Sequence, residues 1–122
     1  MGNLTYAMDE LLPLTPTVFH ILLALADQKR HGYGIMQEVL AMTQNQVRMG
    51  PGTLYGSIKR MLQANLIEES DERPDPELDD ERRRYYRLTD LGQRVLAAEA
   101  QRLSTLMDVA QAKHILGSAE VV

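Results

Sequence analysis

Apolar residues recur at helical spacing in four stretches of the chain and at strand spacing in one shorter region between the third and the fourth. Val18, Ile21, Leu22 and Leu25 lie three and four apart, which lines one face of a helix. Thr15 before Pro16 offers an N-cap followed by proline at the first helical position, where its missing amide costs nothing. A helix is therefore predicted from Pro16 to about Gln28, after a short apolar lead-in at Leu11, Leu12 and Leu14. Phe19, Leu23 and Ala26 give it a second apolar side. In so small a protein this implies burial against a partner chain as well as a core. His31-Gly32-Tyr33-Gly34 reads as a break, and a second helix follows to about Met42 with Ile35, Met36, Val39 and Leu40 inward. Thr43 to Met49 is polar and reads as a turn. Gly50-Pro51-Gly52 then opens a third helix to about Ala64, with Leu54, Ile58, Met61 and Leu62 inward.

From Leu66 the period changes. Leu66 to Ser70 is short and strand-like, and Asp71 to Asp80 contains Pro74 and Pro76, which neither a helix nor a central strand accepts. Arg83 to Thr89 alternates with period two and places Arg84, Tyr86 and Leu88 on one face. The two segments form a hairpin with a long loop. Residues 90 to about 116 make the longest helix, with Thr89 as N-cap and Val95, Leu96, Leu103, Leu106, Met107 and Ala110 as its apolar stripe. The predicted fold is mainly α with a small β-hairpin: a winged helix-turn-helix plus a long C-terminal dimerisation helix. Residues 1–89 would be the DNA-binding domain with its lead-in, and residues 90–122 the dimerisation helix and tail.

Composition narrows this picture. With 122 residues there is room for one domain and an added helix. One Phe and no Trp leave the core to aliphatic residues and Met, and the absence of Cys excludes disulfides and thiolate metal sites. The longest strongly apolar run, Ile21 to Ala26, cannot cross a bilayer, and no secretory signal is visible, so a cytoplasmic protein without a membrane partner is expected. The net charge of −4 argues at first against nucleic acid. However, nine of the 17 acids fall between Glu68 and Glu81, where the one base is Arg73; the remainder of the chain is net basic. Val47 to Asn65 carries Arg48, Lys59 and Arg60 and no acid. The local face, not the sum, decides what a phosphate partner meets.

The third helix is the candidate reading element. Opposite its apolar stripe stand Thr53, Ser57, Lys59, Arg60 and Gln63, with Tyr55 and Gly56 at the flank. In helix-turn-helix proteins the start of this helix enters the major groove. Gly50 and Gly52 keep that end slim, and its free amides suit a phosphate. Thr53 and Ser57 are short enough for base edges, while Lys59 and Arg60 suit phosphates. The plainer alternatives are a solvated polar face and a Tyr55 belonging to the core. Tyr33 is a candidate backbone contact, and His31 reads as a capping or packing residue. Arg82, Arg83, Arg84 and Arg87 on the second wing strand would reach the minor groove or its phosphates, or else neutralise the acidic loop. Isolated His20, His31 and His114 and no nucleophile motif give no catalytic set, so neither an enzyme nor a cofactor is expected; the acidic loop lacks calcium-loop spacing.

At Leu14-Thr15-Pro16, His31-Gly32-Tyr33-Gly34-Ile35, Gly50-Pro51-Gly52-Thr53-Leu54-Tyr55 and Arg83-Arg84-Tyr85-Tyr86-Arg87-Leu88-Thr89, the chain resembles the PadR family of bacterial transcriptional regulators. The motifs run in family order from about Leu14 to Leu106. The resemblance implies a winged helix-turn-helix homodimer joined mainly through the C-terminal helix, in the branch with one short such helix, that binds a palindromic double-stranded operator, usually as a repressor. Tyr55 matches the family's recognition-helix tyrosine, and Arg83 and Arg84 match basic positions near the wing. Phe19, Leu23, Leu96, Leu103, Leu106, Met107 and Ala110 would then form the dimer interface; by family analogy alone a small-molecule effector could bind between the first and last helices near Phe19 and Met107, the favoured reading of those two residues being a plain packed interface. The competing reading is a winged-helix dimer serving as a ligand-binding or protein-interaction module without DNA affinity.

Overall fold

A computed structural model describes residues 11–71 and 83–117. The acidic loop with Pro74 and Pro76, and Arg82, lie outside the described residues. The elements, in order, are α1 (Pro16–Ala24), β1 (Arg30–His31), α2 (Gly32–Met42), α3 (Pro51–Gln63), β2 (Ile67–Ser70), β3 (Tyr85–Leu88) and α4 (Asp90–Ala112). The mainly helical fold with a β-hairpin is as the sequence pattern predicts.

Thr15 caps α1, its Oγ1 accepting from the Val18 amide at 3.3 Å, with Pro16 in the first turn. The helix ends at Ala24, short of Gln28. The reason is Arg30, whose Nε donates to the Ala24 carbonyl at 2.7 Å while its Nη2 meets Asp27 and Glu38. Arg30 thereby satisfies a helix-end carbonyl that another turn would otherwise have bonded. The same residue starts β1, a short strand absent from the sequence reading. It pairs antiparallel with β3 (Arg30 opposite Tyr86, His31 opposite Tyr85), and the sheet order is β1-β3-β2. β2 and β3 form the hairpin, from Ile67 opposite Leu88 to Ser70 opposite Tyr85.

His31 caps α2: its Nδ1 accepts from the Gly34 amide at 3.0 Å, so the expected break is the first turn of the helix. α2, α3 and α4 end in the left-handed region, α2 with the two residues Gln44 and Asn45, α3 with Asn65 and α4 with His114. In each, an amide at this end reaches back to close the last turn: Asn45 to the Leu40 carbonyl, Leu66 to Met61, and Ile115 to Ala110, at 2.8–2.9 Å. Thr89 joins α3 to α4, its hydroxyl donating to the Asn65 carbonyl at 2.6 Å and accepting from the Gly92 amide at 2.9 Å. A side chain at Gly92 would collide with the Leu66 carbonyl, so α4 enters against the backbone of the α3–β2 link.

The core gathers Ile21 and Leu22 of α1, Ile35 and Val39 of α2, Leu54 and Ile58 of α3, and Val95 of α4. Two predicted site residues also lie within it. Ser57, expected on the outer face of α3, is only 1% exposed. It sits three residues after Leu54 and four before Met61, which is the middle of the inward stripe. Leu96, expected at a dimer interface, is buried in its own chain beside Val95. The second half of α4 behaves differently, with Leu106, Met107 and Val109 exposed.

Candidate nucleic-acid interface

α3 presents its first turn to solvent. Gly50, Pro51, Gly52 and Thr53 are all exposed, and a β-carbon added at Gly50 or Gly52 would meet nothing within 4 Å. The slimness of this end therefore serves no contact among the described residues. Lys59 and Arg60 are exposed further along. Arg60 turns back along its helix, Nη2 donating to Ser57 Oγ at 3.2 Å, which gives the buried hydroxyl a partner.

Tyr55 divides itself between two environments. Half of it is exposed, yet its ring lies against the start of α2, where a β-carbon at Gly32 would fall 2.7 Å from Tyr55 Cζ. A side chain at this position would have to push the end of the Tyr55 ring aside. Tyr33 is 55% exposed and stacks on His31, with ring centroids 6.5 Å apart and planes 10° from parallel. His31 in turn meets Tyr85 edge-on at 5.2 Å. Tyr85 and Tyr86, consecutive on β3 and so on opposite faces of the sheet, are both buried.

The wing arginines are paired. Arg84 Nη1 donates to Glu69 Oε1 and Arg87 Nε to Glu68 Oε2, each at 2.8 Å across the hairpin. Glu69 holds the Arg84 guanidinium above its ordinary range. Such solvent-exposed pairs are weak, so an arginine can exchange its carboxylate for another anion. Arg83 Nη1 lies 3.0 Å from His31 Nε2.

These parts converge on one cleft of about 270 Å³, lined by His31, Gly32, Tyr33, Tyr55, Arg83, Arg84 and Tyr86. Four of the residues singled out in the sequence (Tyr33, Tyr55, Arg83 and Arg84) therefore share a cleft. Gly52, Thr53, Lys59 and Arg60 lie along the exposed side of α3, and Ser57 belongs to neither group. His31 and Tyr86 are lining residues that sequence reasoning left without a binding role, although the period-two pattern already placed Tyr86 beside Arg84. Burial, followed by the charge of Glu69, pushes the Tyr86 phenol above its ordinary value. Among the described residues no group of three or more His, Cys, Asp or Glu could hold a metal, and no helix is long and apolar enough to cross a membrane.

Three helices, the second and third joined through residues 43–50, followed by a hairpin that completes a small three-stranded sheet, define a winged helix-turn-helix protein. Residues 21–98 match the transcriptional regulator PadR-like family, and the chain belongs to it. It is similar in fold to a PadR family transcription regulator from hypervirulent Clostridium difficile, with 25% identity, 80% of this chain and 97% of that one covered, and a TM-score of 0.65. A transcriptional regulator from Clostridium thermocellum shares the fold at 21% identity, covering 79% and 87%, with a TM-score of 0.64. Bacillus subtilis PadR, solved in complex with operator DNA, shares it at 20% identity, covering 70% and 47%, with a TM-score of 0.56. An uncharacterised 37.1 kDa protein in transposon TN4556 of Streptomyces fradiae is 33% identical over 86 residues, 70% of this chain. The chain matches only 22% of that relative's length. Proteins of this family are transcriptional regulators, not enzymes.

Proposed function

We propose that the chain is a sequence-specific double-stranded DNA-binding regulator that acts as a homodimeric repressor on a palindromic operator in the cytoplasm. One observation carries the reading: the acid-free first turn of α3 stands clear of the rest of the fold, with exposed Thr53, Lys59 and Arg60 following it. A helix presented in this way fits the major groove, with Gly52 admitting close approach, Thr53 facing base edges, and Lys59 and Arg60 facing phosphates. Tyr33, Tyr55, Arg83 and Arg84 extend this surface from α2 and the wing. The operator complex of Bacillus subtilis PadR supports the reading through its shared fold.

The dimer reading rests on exposed apolar side chains. Leu106 and Met107 are each about half exposed, and Val109 and Leu23 add to them. Phe19, Leu103 and Ala110 are half-buried beside this surface. A second copy covering it would remove an apolar area that water otherwise meets. Residues 1–89 then serve as the DNA-binding unit and 90–122 as the dimerisation helix and tail. The first turns of α4, which carry Val95 and Leu96, pack into the DNA-binding unit. A small-molecule effector would sit between α1 and α4, near Phe19 and Met107.

The test is a fluorescence-anisotropy titration of the full chain on the DNA upstream of its own gene, at two salt concentrations. Affinity should fall steeply with salt, because each neutralised phosphate releases counterion. Salt-independent binding, or none there and none in a selection from random duplexes, would refute the reading.

A further inference from the structure

β2 carries two acids in succession, and each holds an arginine across the hairpin at 2.8 Å: Glu68 takes Arg87 and Glu69 takes Arg84. Consecutive strand residues point to opposite faces, so the two carboxylates serve opposite sides of the wing. The pairs differ in what they meet. Glu69 stands opposite Tyr86 in the register, and Arg84 and Tyr86 line the cleft that Tyr33 and Tyr55 share. Neither Glu68 nor Arg87 lines it.

Two observations put the Glu69 charge where a strand phosphate would come. Its carboxylate sits on the Arg84 guanidinium, whose side chain is 72% exposed and so open to a second anion. After burial, it is also the foremost cause that raises the Tyr86 phenol on the cleft wall. A phosphate approaching Arg84 therefore meets a carboxylate already in its place, and the two negative charges repel at close range. Because so exposed a pair is weak, the carboxylate yields to the phosphate instead of excluding it.

We propose that Glu69 is an affinity-setting residue of the DNA interface: it stands in for a backbone phosphate on Arg84 in the free chain and is displaced by the strand on binding. Resting on the DNA-binding reading, this role makes Glu69 oppose binding through Arg84. Displacement leaves the carboxylate beside the strand without its counter-charge, which offsets part of what Arg84 gains from the phosphate. The exchange also masks Arg84 in the salt dependence. The phosphate releases a cation, and the bared carboxylate takes one up. Glu68 and Arg87, on the other face, do neither.

The test titrates the full chain with a duplex selected from random sequence, at several salt concentrations. Beside wild type it uses Glu69→Gln, Glu68→Gln, Arg84→Gln and the double variant Glu69→Gln with Arg84→Gln. Glu68→Gln removes the same charge from the neighbouring position, so it separates the local exchange from the effect of net charge. Glu69→Gln should tighten binding about threefold, the scale of an exposed ion pair, and steepen the salt slope by about one unit. Glu68→Gln should leave the slope unchanged, and the gain from Glu69→Gln should vanish once Arg84→Gln is present. All variants should melt close to wild type, since both pairs are exposed. Weaker binding by Glu69→Gln would show that the carboxylate positions Arg84 for the strand. Equal gains from the two single glutamate variants, or a gain that survives Arg84→Gln, would show a general effect of charge. Each of these results overturns the proposal. A wild-type chain that binds no duplex refutes the DNA reading, and the salt needed to elute the same variants from immobilised heparin still decides whether Glu69 withholds Arg84 from a polyanion.

Discussion

Glu99 is the only charged residue that the described fold buries, at 2% exposure, and its surroundings account for it. Arg102, one turn later, donates from Nε at 2.7 Å and Nη2 at 2.9 Å, holding the carboxyl below its ordinary value against the opposing cost of burial, with the Leu14 backbone helping. The pair thus ties α4 to the segment that leads into α1. Because the folded value is depressed, its stabilisation is fully present above the ordinary carboxyl value of 4.5 and fades as pH falls through the lower folded value. Glu99→Gln should cost about 1–2 kcal/mol at neutral pH, and its denaturation midpoint should converge with that of wild type in strong acid. Parallel urea titrations between neutral pH and pH 3 would show whether the gap closes. Gln44, Asn65 and His114 occupy left-handed positions where glycine carries no β-carbon penalty. Asparagine tolerates that region better than glutamine, so Gln44→Gly should stabilise by about 0.5–1 kcal/mol, and Asn65→Gly by less. Equal or opposite shifts in urea midpoint would refute that ranking.

At the scale of the element, the spacing of apolar residues placed all four helices and the hairpin, because burial of one stripe is a property the sequence carries by itself. What it could not show depends on distant partners. α1 stops early because Arg30 reaches back to Ala24, and β1 exists because β3 lies alongside it. The ends near Met42 and Ala64 were legible, but the left-handed residues that close those turns were not, since they use no glycine. In the candidate interface, Thr53, Lys59 and Arg60 were legible as the outer face of α3. Ser57 was misplaced because polarity was allowed to outweigh register, although its position between Leu54 and Met61 fixes it inside. The corrected face makes a sharper expectation for α3. Lys59→Ala should weaken binding to every duplex and lower the salt slope by about one unit, whereas Thr53→Ala should change base preference by about 1–3 kcal/mol. Ser57→Ala should leave base preference unchanged. A binding selection on the three variants separates them: a shifted consensus for Ser57→Ala, or an unchanged salt slope for Lys59→Ala, contradicts this assignment.

The whole molecule joins an α3 that faces outward to an α4 whose two halves do different work. Its first turns, with Gly92 against the Leu66 backbone and Val95 in the core, fix the direction in which the helix leaves the fold. Its later turns carry Leu106, Met107 and Val109 into solvent. If a second copy covers them, the separation between two α3 helices is set by α4 alone, and neither half-site contact needs adjustment for the other to form. Linkage then connects assembly to binding: a palindromic duplex that engages both α3 helices stabilises the pair, and dissociation of the pair halves the contact. Leu106→Glu with Met107→Glu places two charges in that surface without touching Val95 or Leu96. The variant should keep its fold and thermal transition, elute as a monomer, and bind a palindromic duplex at least about a hundredfold more weakly, since one half-site lacks the effective concentration that the partner supplies. Light scattering and anisotropy on the same samples decide between the alternatives. A variant that remains dimeric, or a monomer that binds the palindrome as tightly as wild type does, would show that α4 does not set the spacing.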